Sequence, residues 1–416
     1  MHISPVRSPA GVEFRKVFRC GVTRFILFLA LLSSPIAFAQ MPIPADRLAA
    51  VSQLFEKLDK HSTLHCSVLH FDPFLDFTFR YEAGLLVSVR PEEFTPGANF
   101  GAFLRITPQD GKPAFFGEQY DVPPIPAMMA KKLTARQLKR IELQMSVGFA
   151  IGDGRYAIDL LLADAQDRTC HARWNLKTPK HNSPLTLPTN TVASIEGTAW
   201  DGKLQNDGVR LTVLLHVAPL NPYSPKLHAW DRGFLLQSLA SLLKQLPCQS
   251  VRVIAFNLDQ QQELFREENF DDDGYARLVH HLHKLEFGTV SYRALQRDSW
   301  QQWLVRLANQ QTSAKNPSDV VVFLGPNSHF LDKVPSETRD DPDVAPRFFY
   351  FEYYPWMGAE FSDSIDYLTR GMHGTVYKIH SADQLGQAIQ KMQEKMKQAP
   401  DNAGISPSAS KTSSKE

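Results

Sequence analysis

The hydrophobic pattern changes its period once along the chain. In residues 61–177, apolar and polar positions alternate in short runs such as "DFTFRYEAGLLVSV", which are rich in aromatic and β-branched residues and end at Pro or Gly. From residue 209 onward, near-continuous apolar runs alternate with helical patterns. The first stretch predicts an all-β domain, and the second predicts an α/β domain with a mostly parallel sheet covered on both faces.

Helical spacing of apolar positions marks the segments between the strands of the second half. We expect helices at about residues 231–246, 272–286, 298–310, from 362 onward and at 381–396. The run "QELFRE" closely follows "SVRVIAFNL", so the two are expected to form a strand pair. Two further helices are predicted in the first half, within residues 40–60 and at "LTARQLKRIEL". The pattern leaves open whether the helix within 40–60 packs on a domain or is a loosely attached leader.

The first 39 residues have the pattern of an export signal. Basic residues up to Arg24 precede the apolar run "FILFLALLSSPIAFA", and Ala37 and Ala39 occupy the small-residue positions that a signal peptidase reads. This run is about 15 residues long, which is shorter than the roughly 20 residues needed to span a bilayer. We therefore predict cleavage after Ala39, a secreted or periplasmic protein, and no membrane span after cleavage.

The composition indicates a globular protein whose net charge does not favour binding to nucleic acid. Hydrophobic residues make up 43% of the 416 residues and charged residues 21%, so a packed core is expected. The formal net charge is +1, and removal of the signal, which carries +4, leaves −3. A nearly neutral mature protein lacks the basic footprint of nucleic-acid binding.

One segment of the β-domain resembles a known structural motif. The run "GDGRYAIDLLL" is similar to the tyrosine corner of immunoglobulin-like sandwiches, in which a Tyr near the start of the penultimate strand hydrogen-bonds back across the corner. Tyr156 would be that residue, although Ile158 stands where such domains often carry a Cys. The resemblance implies a β-sandwich, which would place Cys66 on its first strand and Cys170 on its last.

The cysteines of the mature chain permit one bridge. Cys66, Cys170 and Cys248 remain after signal removal, and no spacing typical of a zinc site occurs. The first and last strands of a sandwich are often neighbours. We therefore predict a Cys66–Cys170 disulfide and a buried Cys248 thiol.

The remaining segments complete the domain plan. Residues 178–208 are rich in Pro, Asn, Thr and Ser with little periodicity, which indicates a linker with one edge strand at its end. The predicted plan is a signal peptide 1–39, a short helical leader 40–60, a β-sandwich domain 61–177, a linker 178–208, an α/β domain 209–397 and a disordered tail 398–416.

The element order over residues 209–397 resembles the von Willebrand factor type A domain. The stretches that carry this resemblance are "LTVLLHVAP", "VRVIAFNL", "LEFGTVSYRAL" and "SDVVVFLGP". Most of the mature chain also resembles a group of secreted bacterial proteins of unknown function that join such a domain to an N-terminal β-domain.

Metal-binding type A domains carry an Asp-x-Ser-x-Ser motif after the first strand, together with a later Thr and Asp, and these oxygen ligands suit Mg²⁺. In this chain the motif positions fall at His216, Ala218 and Leu220, and Thr289 matches the later Thr. The late Asp falls within residues 325–327, "GPN". One ligand of five cannot hold Mg²⁺, so we expect no metal and no cofactor.

The run "RFFYFEYYPWMG" is the densest aromatic stretch. A central strand with two buried faces accounts for residues 348–351. Tyr353, Tyr354 and Trp356 come at or beyond its carboxyl end, where open α/β sheets bind ligands, and Asn327 ends the preceding parallel strand. We predict that these four residues form a partner-binding site and that at least two of the aromatic side chains are partly exposed. Core packing is the competing interpretation for each of them.

No catalytic motif is evident in the sequence. A nucleophile elbow, a P-loop and a dinucleotide-binding G-x-G-x-x-G are lacking. In "DDDGYARLVHHLHKLEF", the acids 271–273 favour a helix cap over a calcium loop, and His280 and His283 favour a solvated face over a metal pair. We expect a non-catalytic binding or adhesion-like protein whose partner is a protein or a cell-envelope component. The alternative is an envelope-associated hydrolase acting on polysaccharide or peptide through unmarked carboxylates.

Overall fold

A computed structural model describes residues 41–56, 63–90, 98–122, 134, 142–181, 184–195, 200–220, 224, 226–285, 299–312, 318–334, 346–354 and 361–397. The predicted signal peptide, the predicted tail, Thr289, Trp356 and most of the predicted helix at "LTARQLKRIEL" lie outside these residues. No helix among the described residues is long and apolar enough to cross a membrane.

The β-domain consists of two antiparallel sheets with a shared core. Its strands are β1 (Met41–Pro42), β2 (Cys66–Leu75), β3 (Tyr81–Val89), β4 (Asn99–Pro108), β5 (Ala114–Asp121), β6 (Leu143–Ile151), β7 (Arg155–Asp164), β8 (Thr169–Lys177) and β9 (Val192–Ala193). Their order is β1-β5-β4-β7-β8 in one sheet and β2-β3-β6-β9 in the other. Every second residue of β3 and β4 is buried, and these residues meet in one core between the sheets. The alternating sequence pattern therefore corresponds to one core-facing side of each sheet.

The helix predicted within residues 40–60 packs on the β-domain. Helix α1 (Ala45–Glu56) buries Val51 and Phe55 against Leu161 on the outer face of the first sheet. The guanidinium of Arg105 lies 4.9 Å from the centroid of the Phe55 ring. Of the two possibilities that the sequence left open, the structure therefore has the packed helix.

The predicted disulfide is confirmed. Cys66 on β2 and Cys170 on β8 are bonded, with their Cα atoms 6.2 Å apart and a sequence separation of 104. Cys248 is a free, buried cysteine, and burial raises the pKa of its thiol to about 12. A thiol with so little thiolate is chemically inert, so this residue has a packing role.

Tyr156 makes the hydrogen bond predicted for a tyrosine corner. Its hydroxyl lies 2.9 Å from the carbonyl oxygen of Gly152, four residues upstream, and 3.1 Å from that of Thr191. The side chain is buried at the start of β7. The contact with Thr191 also ties the segment after β8 to the sandwich, so part of the predicted linker belongs to this domain.

The second half forms a six-stranded, mostly parallel sheet. Its elements are β10 (Val209–His216), α2 (Ala229–Gln245), β11 (Cys248–Asn257), β12 (Gln262–Glu267), α3 (Asp272–Lys284), α4 (Ser299–Asn309), β13 (Val320–Pro326), β14 (Arg347–Tyr353), α5 (Ser364–Gly371), β15 (Thr375–Ile379) and α6 (Ala382–Lys397). The strand order is β12-β11-β10-β13-β14-β15, and β12 is antiparallel to β11. Helices α2, α3 and α6 cover one face, and α4 and α5 cover the other. The predicted parallel sheet with two covered faces is thus observed.

The turn between β2 and β3 joins the two halves of the chain. Phe79 is buried in the apolar cluster of the α/β domain, and Phe77 packs against the same cluster. Phe79 has φ +59°, an unusual value for a residue other than glycine, and its carbonyl accepts a hydrogen bond of 2.8 Å from Thr186 N. Ser241 on α2 donates its hydroxyl to the carbonyl of Phe77. The β-domain therefore contributes side chains to the core of the α/β domain.

Candidate functional site

The tyrosines predicted as an exposed binding site are buried. Tyr353 is 0% exposed and Tyr354 is 5% exposed, so the expectation that at least two of the three aromatics are partly exposed is wrong. The Tyr353 ring lies 4.5 Å from that of Phe234 and 5.7 Å from that of Phe77. The chain's own β-domain thus covers Tyr353. Asn327 is half-buried at the end of β13.

Tyr354 belongs to a buried polar network around Glu352. Its hydroxyl donates to the Glu352 carboxylate, and the ammonium of Lys378 lies 2.9 Å from the same hydroxyl and 3.1 Å from Glu352 Oε2. Lys378 also donates to the carbonyl of Phe361 at 2.9 Å. Burial, and secondarily the charge of Asp363, raises the pKa of Glu352 to about 7, against the lowering effects of Tyr354 and Lys378.

A second enclosed carboxylate begins helix α5. Asp363 Oδ1 accepts from the backbone N–H of Asp366 at 2.8 Å, and Oδ2 accepts from that of Ser328. Burial raises the pKa of Asp363 to about 6, although these hydrogen bonds lower it. Glu352 and Asp363 are both fully buried. Their raised pKa values therefore come from burial among residues of the same chain, and neither carboxylate faces an open cleft.

Three large apolar side chains are exposed at the edge of the sheet where the parallel strands end. Trp230 opens α2 after the loop that leaves β10, Leu331 follows β13, and Phe361 follows β14. Their exposed fractions are 63%, 55% and 41%. We call these residues the carboxyl-edge apolar group. Sequence reasoning missed them because single apolar residues near loops carry no periodic signal.

His216 lies at the end of one of the two central strands, at the same edge of the sheet. The strand order reverses between β10 and β13, and His216 ends β10. Its Nδ1 lies 2.8 Å from the carbonyl oxygen of Pro326, and its ring stacks on Phe256 with centroids 5.2 Å apart. Gly325 permits this close approach, because a Cβ there would lie 2.4 Å from His216 O. In open α/β sheets, such a reversal point is where ligands bind.

An ion pair crosses the end of β10. Asp259 follows β11 and His329 follows β13, and their Oδ2 and Nδ1 atoms are 3.3 Å apart. Because β10 lies between β11 and β13, the pair reaches over the strand end occupied by His216. Asp259 raises the pKa of His329, and burial lowers the pKa of His216.

The positions that correspond to a type A metal motif offer few oxygen atoms. Ala218 and Leu220 are buried apolar side chains, and His216 provides nitrogen instead of a carboxylate. Within the described part of the chain, no group of three or more His, Cys, Asp or Glu residues is placed to hold a metal ion. Thr289 lies outside the described residues.

The acidic start of helix α3 acts as a cap, as predicted. Asp271 is the N-cap residue, and its carboxylate accepts from the backbone N–H of Gly274 at 2.7 Å. His280 and His283 are exposed on the same helix. His283 Nδ1 bonds to the backbone carbonyl of Val279 at 2.8 Å.

No protein-family model matches the chain, and no curated protein matches its sequence. An ApaA protein from Bordetella pertussis is similar at 11% identity over 30% of this chain and 99% of that chain, with a TM-score of 0.18. A glycosyl hydrolase family 2 member from Bacteroides cellulosilyticus is 11% identical over 73% of this chain and 37% of that chain, with a TM-score of 0.18. Purple acid phosphatase PPD1 from yellow lupin is 9% identical over 70% of this chain and 59% of that chain, with a TM-score of 0.19. TM-scores this low carry no inference about fold or function.

Proposed function

We propose that this chain is a secreted, non-catalytic binding protein. It combines an immunoglobulin-like sandwich with a von Willebrand factor type A-like domain that works without Mg²⁺. Its partner is a protein or a protein component of the cell envelope. The carboxyl-edge apolar group, rather than Tyr353 and Tyr354, provides the anchors.

The strand orders support the two domain types. Counted from β10, the parallel sheet has the order 3-2-1-4-5-6, which is a doubly wound order. In the β-domain, the long strands group as first, second and fifth in one sheet and third, fourth, sixth and seventh in the other. The buried corner residue Tyr156 stands at the start of the sixth, as in immunoglobulin-like sandwiches.

The observation that carries the functional proposal is the exposure of Trp230, Leu331 and Phe361 at one edge of the sheet. Large apolar side chains are the usual anchors of protein interfaces, because they bury much area at small entropic cost. Loops at the carboxyl ends of parallel strands are also the usual location of binding residues. These two facts together favour a binding surface at this edge.

The test compares two edges of the same sheet. Binding of the protein to its solubilised envelope fraction is measured for the Trp230→Ser/Leu331→Ser variant and for Leu204→Ser as a control. Leu204 is 48% exposed and precedes β10, so it lies at the opposite edge. We expect the double variant to bind at least about tenfold more weakly and the control to bind normally. Equal binding by the unchanged protein, the double variant and the control would show that the carboxyl edge is not the binding surface.

The alternative is an envelope-associated hydrolase, and the raised pKa values of two carboxylates favour it. Glu352 and Asp363 have pKa values raised to about 7 and about 6, in the range of catalytic acids. Their complete burial argues against substrate contact. Release of soluble fragments from envelope polysaccharide or peptide, lost in Glu352→Gln with an unchanged melting temperature, would favour the hydrolase.

A further inference from the structure

Strand β2 is an open edge of the β-domain. In the sheet of order β2-β3-β6-β9, β2 pairs with β3 on one side, and no strand in the described part of the chain pairs with it on the other. An edge strand presents a row of free N–H and C=O groups that can pair with another strand. Leu69, Phe71 and Phe74 on this strand are 58%, 47% and 45% exposed. The edge therefore combines free backbone groups with exposed apolar side chains.

The other sheet edges among the described strands carry features that discourage strand pairing. Strands β1 and β9 have two residues each. The edge strands β8, β12 and β15 carry charged side chains, namely Arg173, Lys177, Glu263, Arg266, Glu267 and Lys378. Short edges and charges are the usual protection against edge-to-edge association. Strand β2 has ten residues, and its first six, "CSVLHF", include no Asp, Glu, Lys or Arg.

The β2 edge is held in place by contacts with β8. The disulfide ties the first residue of β2 to that strand. The rings of His70 and Trp174 stack with their centroids 5.7 Å apart, which ties the same two strands together again. Because the strand is already ordered, pairing with another strand costs little conformational entropy. Asp72 and Pro73 follow at a break in the β2–β3 register, and they limit the segment that can pair to residues 66–71.

We propose that two copies of this chain form a dimer in which their β2 strands pair antiparallel and join the two sheets into one. A two-fold axis at Leu69 places this residue opposite its own copy and places Phe71 opposite Ser67. Leu86 on β3 is the cross-strand neighbour of Leu69 and is half-buried. The leucines at positions 69 and 86 of both copies would then form one apolar row across the outer face of the joined sheet.

The occupant is a second copy because the segment is complementary to itself. Residues 67, 69 and 71 share one face of the strand, and pairing about Leu69 keeps that face on one side of the joined sheet. His70 would face Val68, so no residue meets a like charge across the axis. The contact is small, and a dissociation constant in the micromolar range is therefore expected. This inference goes beyond the proposed binding function and does not depend on it.

Sedimentation velocity of the full chain at concentrations up to about 200 µM tests the proposal. Leu69→Lys places two ammonium groups opposite each other, so the dimer should weaken at least about tenfold. The melting temperature of the monomer should stay unchanged, because the Leu69 side chain is exposed. Leu204→Lys, at an exposed leucine outside the β-domain strands, is the matched control and should dimerise as the unchanged chain does.

A mixture of Leu69→Lys and Leu69→Glu tests the register. Opposite charges then meet at the axis, so the mixture should associate more tightly than either variant alone. Hydrogen exchange should show that the β2 amides not paired with β3 become protected as the dimer forms. A chain that stays monomeric at about 200 µM, or a Leu69→Lys variant of full affinity, would overturn the proposal.

Hydrogen exchange also separates the other possible occupants of the edge. Protection of these β2 amides in the monomer would mean that a segment of the same chain covers the edge. Protection that appears only after addition of the envelope fraction would assign the edge to a strand of another protein. Either result overturns the dimer.

Discussion

The ring of Tyr353 meets the ring of Phe77 edge-on, with their centroids 5.7 Å apart. Tyr353 ends a central strand of the parallel sheet, and Phe77 lies in the turn between two strands of the β-domain. Phe234 of α2 completes the contact, 4.1 Å from Phe77. A position that the sequence assigns to an external partner is thus filled by another part of the same chain.

This contact predicts a strong effect of Phe77→Ala on stability. Loss of the ring should lower the free energy of unfolding by about 2 kcal/mol and increase the separate motion of the two domains. Urea denaturation followed by fluorescence, with limited proteolysis, measures both effects. Phe74→Ala, at an exposed ring on the preceding strand β2, is the control and should change stability by no more than about 0.5 kcal/mol. Equal effects of the two changes would contradict the docking role of Phe77.

The pH dependence of stability should reflect Glu352. Its pKa rises from an ordinary value of 4.5 to about 7 in the folded protein, so the folded state holds a proton that the unfolded state releases. The free energy of unfolding should therefore fall as pH rises from about 4.5 to about 7. Glu352→Gln should make this slope shallower, without abolishing it, because the pKa of Glu82 is also raised to about 7 by burial and Asp76. Denaturation curves between these pH values provide the measurement, and an unchanged slope in Glu352→Gln would contradict the prediction.

The disulfide should contribute a large share of the stability of the β-domain. A bridge with a sequence separation of 104 stabilises by about 4–5 kcal/mol in the chain-entropy model. The Cys66→Ala/Cys170→Ala variant should therefore melt at a clearly lower temperature under non-reducing conditions. Cys248→Ala should keep the bridge, which mass mapping of unreduced peptides would verify. An equal melting temperature with and without a reducing agent would show that the bridge contributes little to stability.

Mg²⁺ and Mn²⁺ should not bind the α/β domain. His216, Ala218 and Leu220 replace the acid and the two serines of a metal-binding type A motif, and hard cations require such oxygen atoms. Calorimetry of the full chain should therefore detect no binding at or below millimolar dissociation constants. Tight Mg²⁺ binding that Thr289→Ala abolishes would mean that the motif lies elsewhere in the chain.

Periodicity and pairing signals made much of the fold predictable. The shift from alternating to near-continuous apolar runs separates the antiparallel sheets from the parallel sheet, because burial of one or both strand faces leaves different patterns. The Tyr156 hydrogen bond and the Cys66–Cys170 bridge were expected from the resemblance to a tyrosine corner and from the sandwich that this resemblance implies. These features depend on local sequence or on the order of strands.

The candidate site was less predictable because it depends on contacts between distant residues. The sequence places Tyr353 and Tyr354 at a strand end, but it does not show that Phe77 covers one and that Lys378 contacts the other. Lys378 lies opposite Glu352 through the register of β14 and β15, which are separated in the chain by helix α5. Trp230 is exposed in the first turn of α2, and the sequence alone does not show which face of that helix packs on the sheet. Each of these facts is set by tertiary packing, which one-dimensional patterns do not encode.

The bond between Cys66 and Cys170 has a mechanical consequence. The first long strand of the sandwich is β2 and the last is β8, and the bridge connects these two strands directly. A pulling force carried along the chain passes through the sulfur atoms and bypasses residues 67–169. Tension applied through the α/β domain would therefore not extend the residues that the bridge encloses. The length of chain that unfolding under load can release is shorter by those residues.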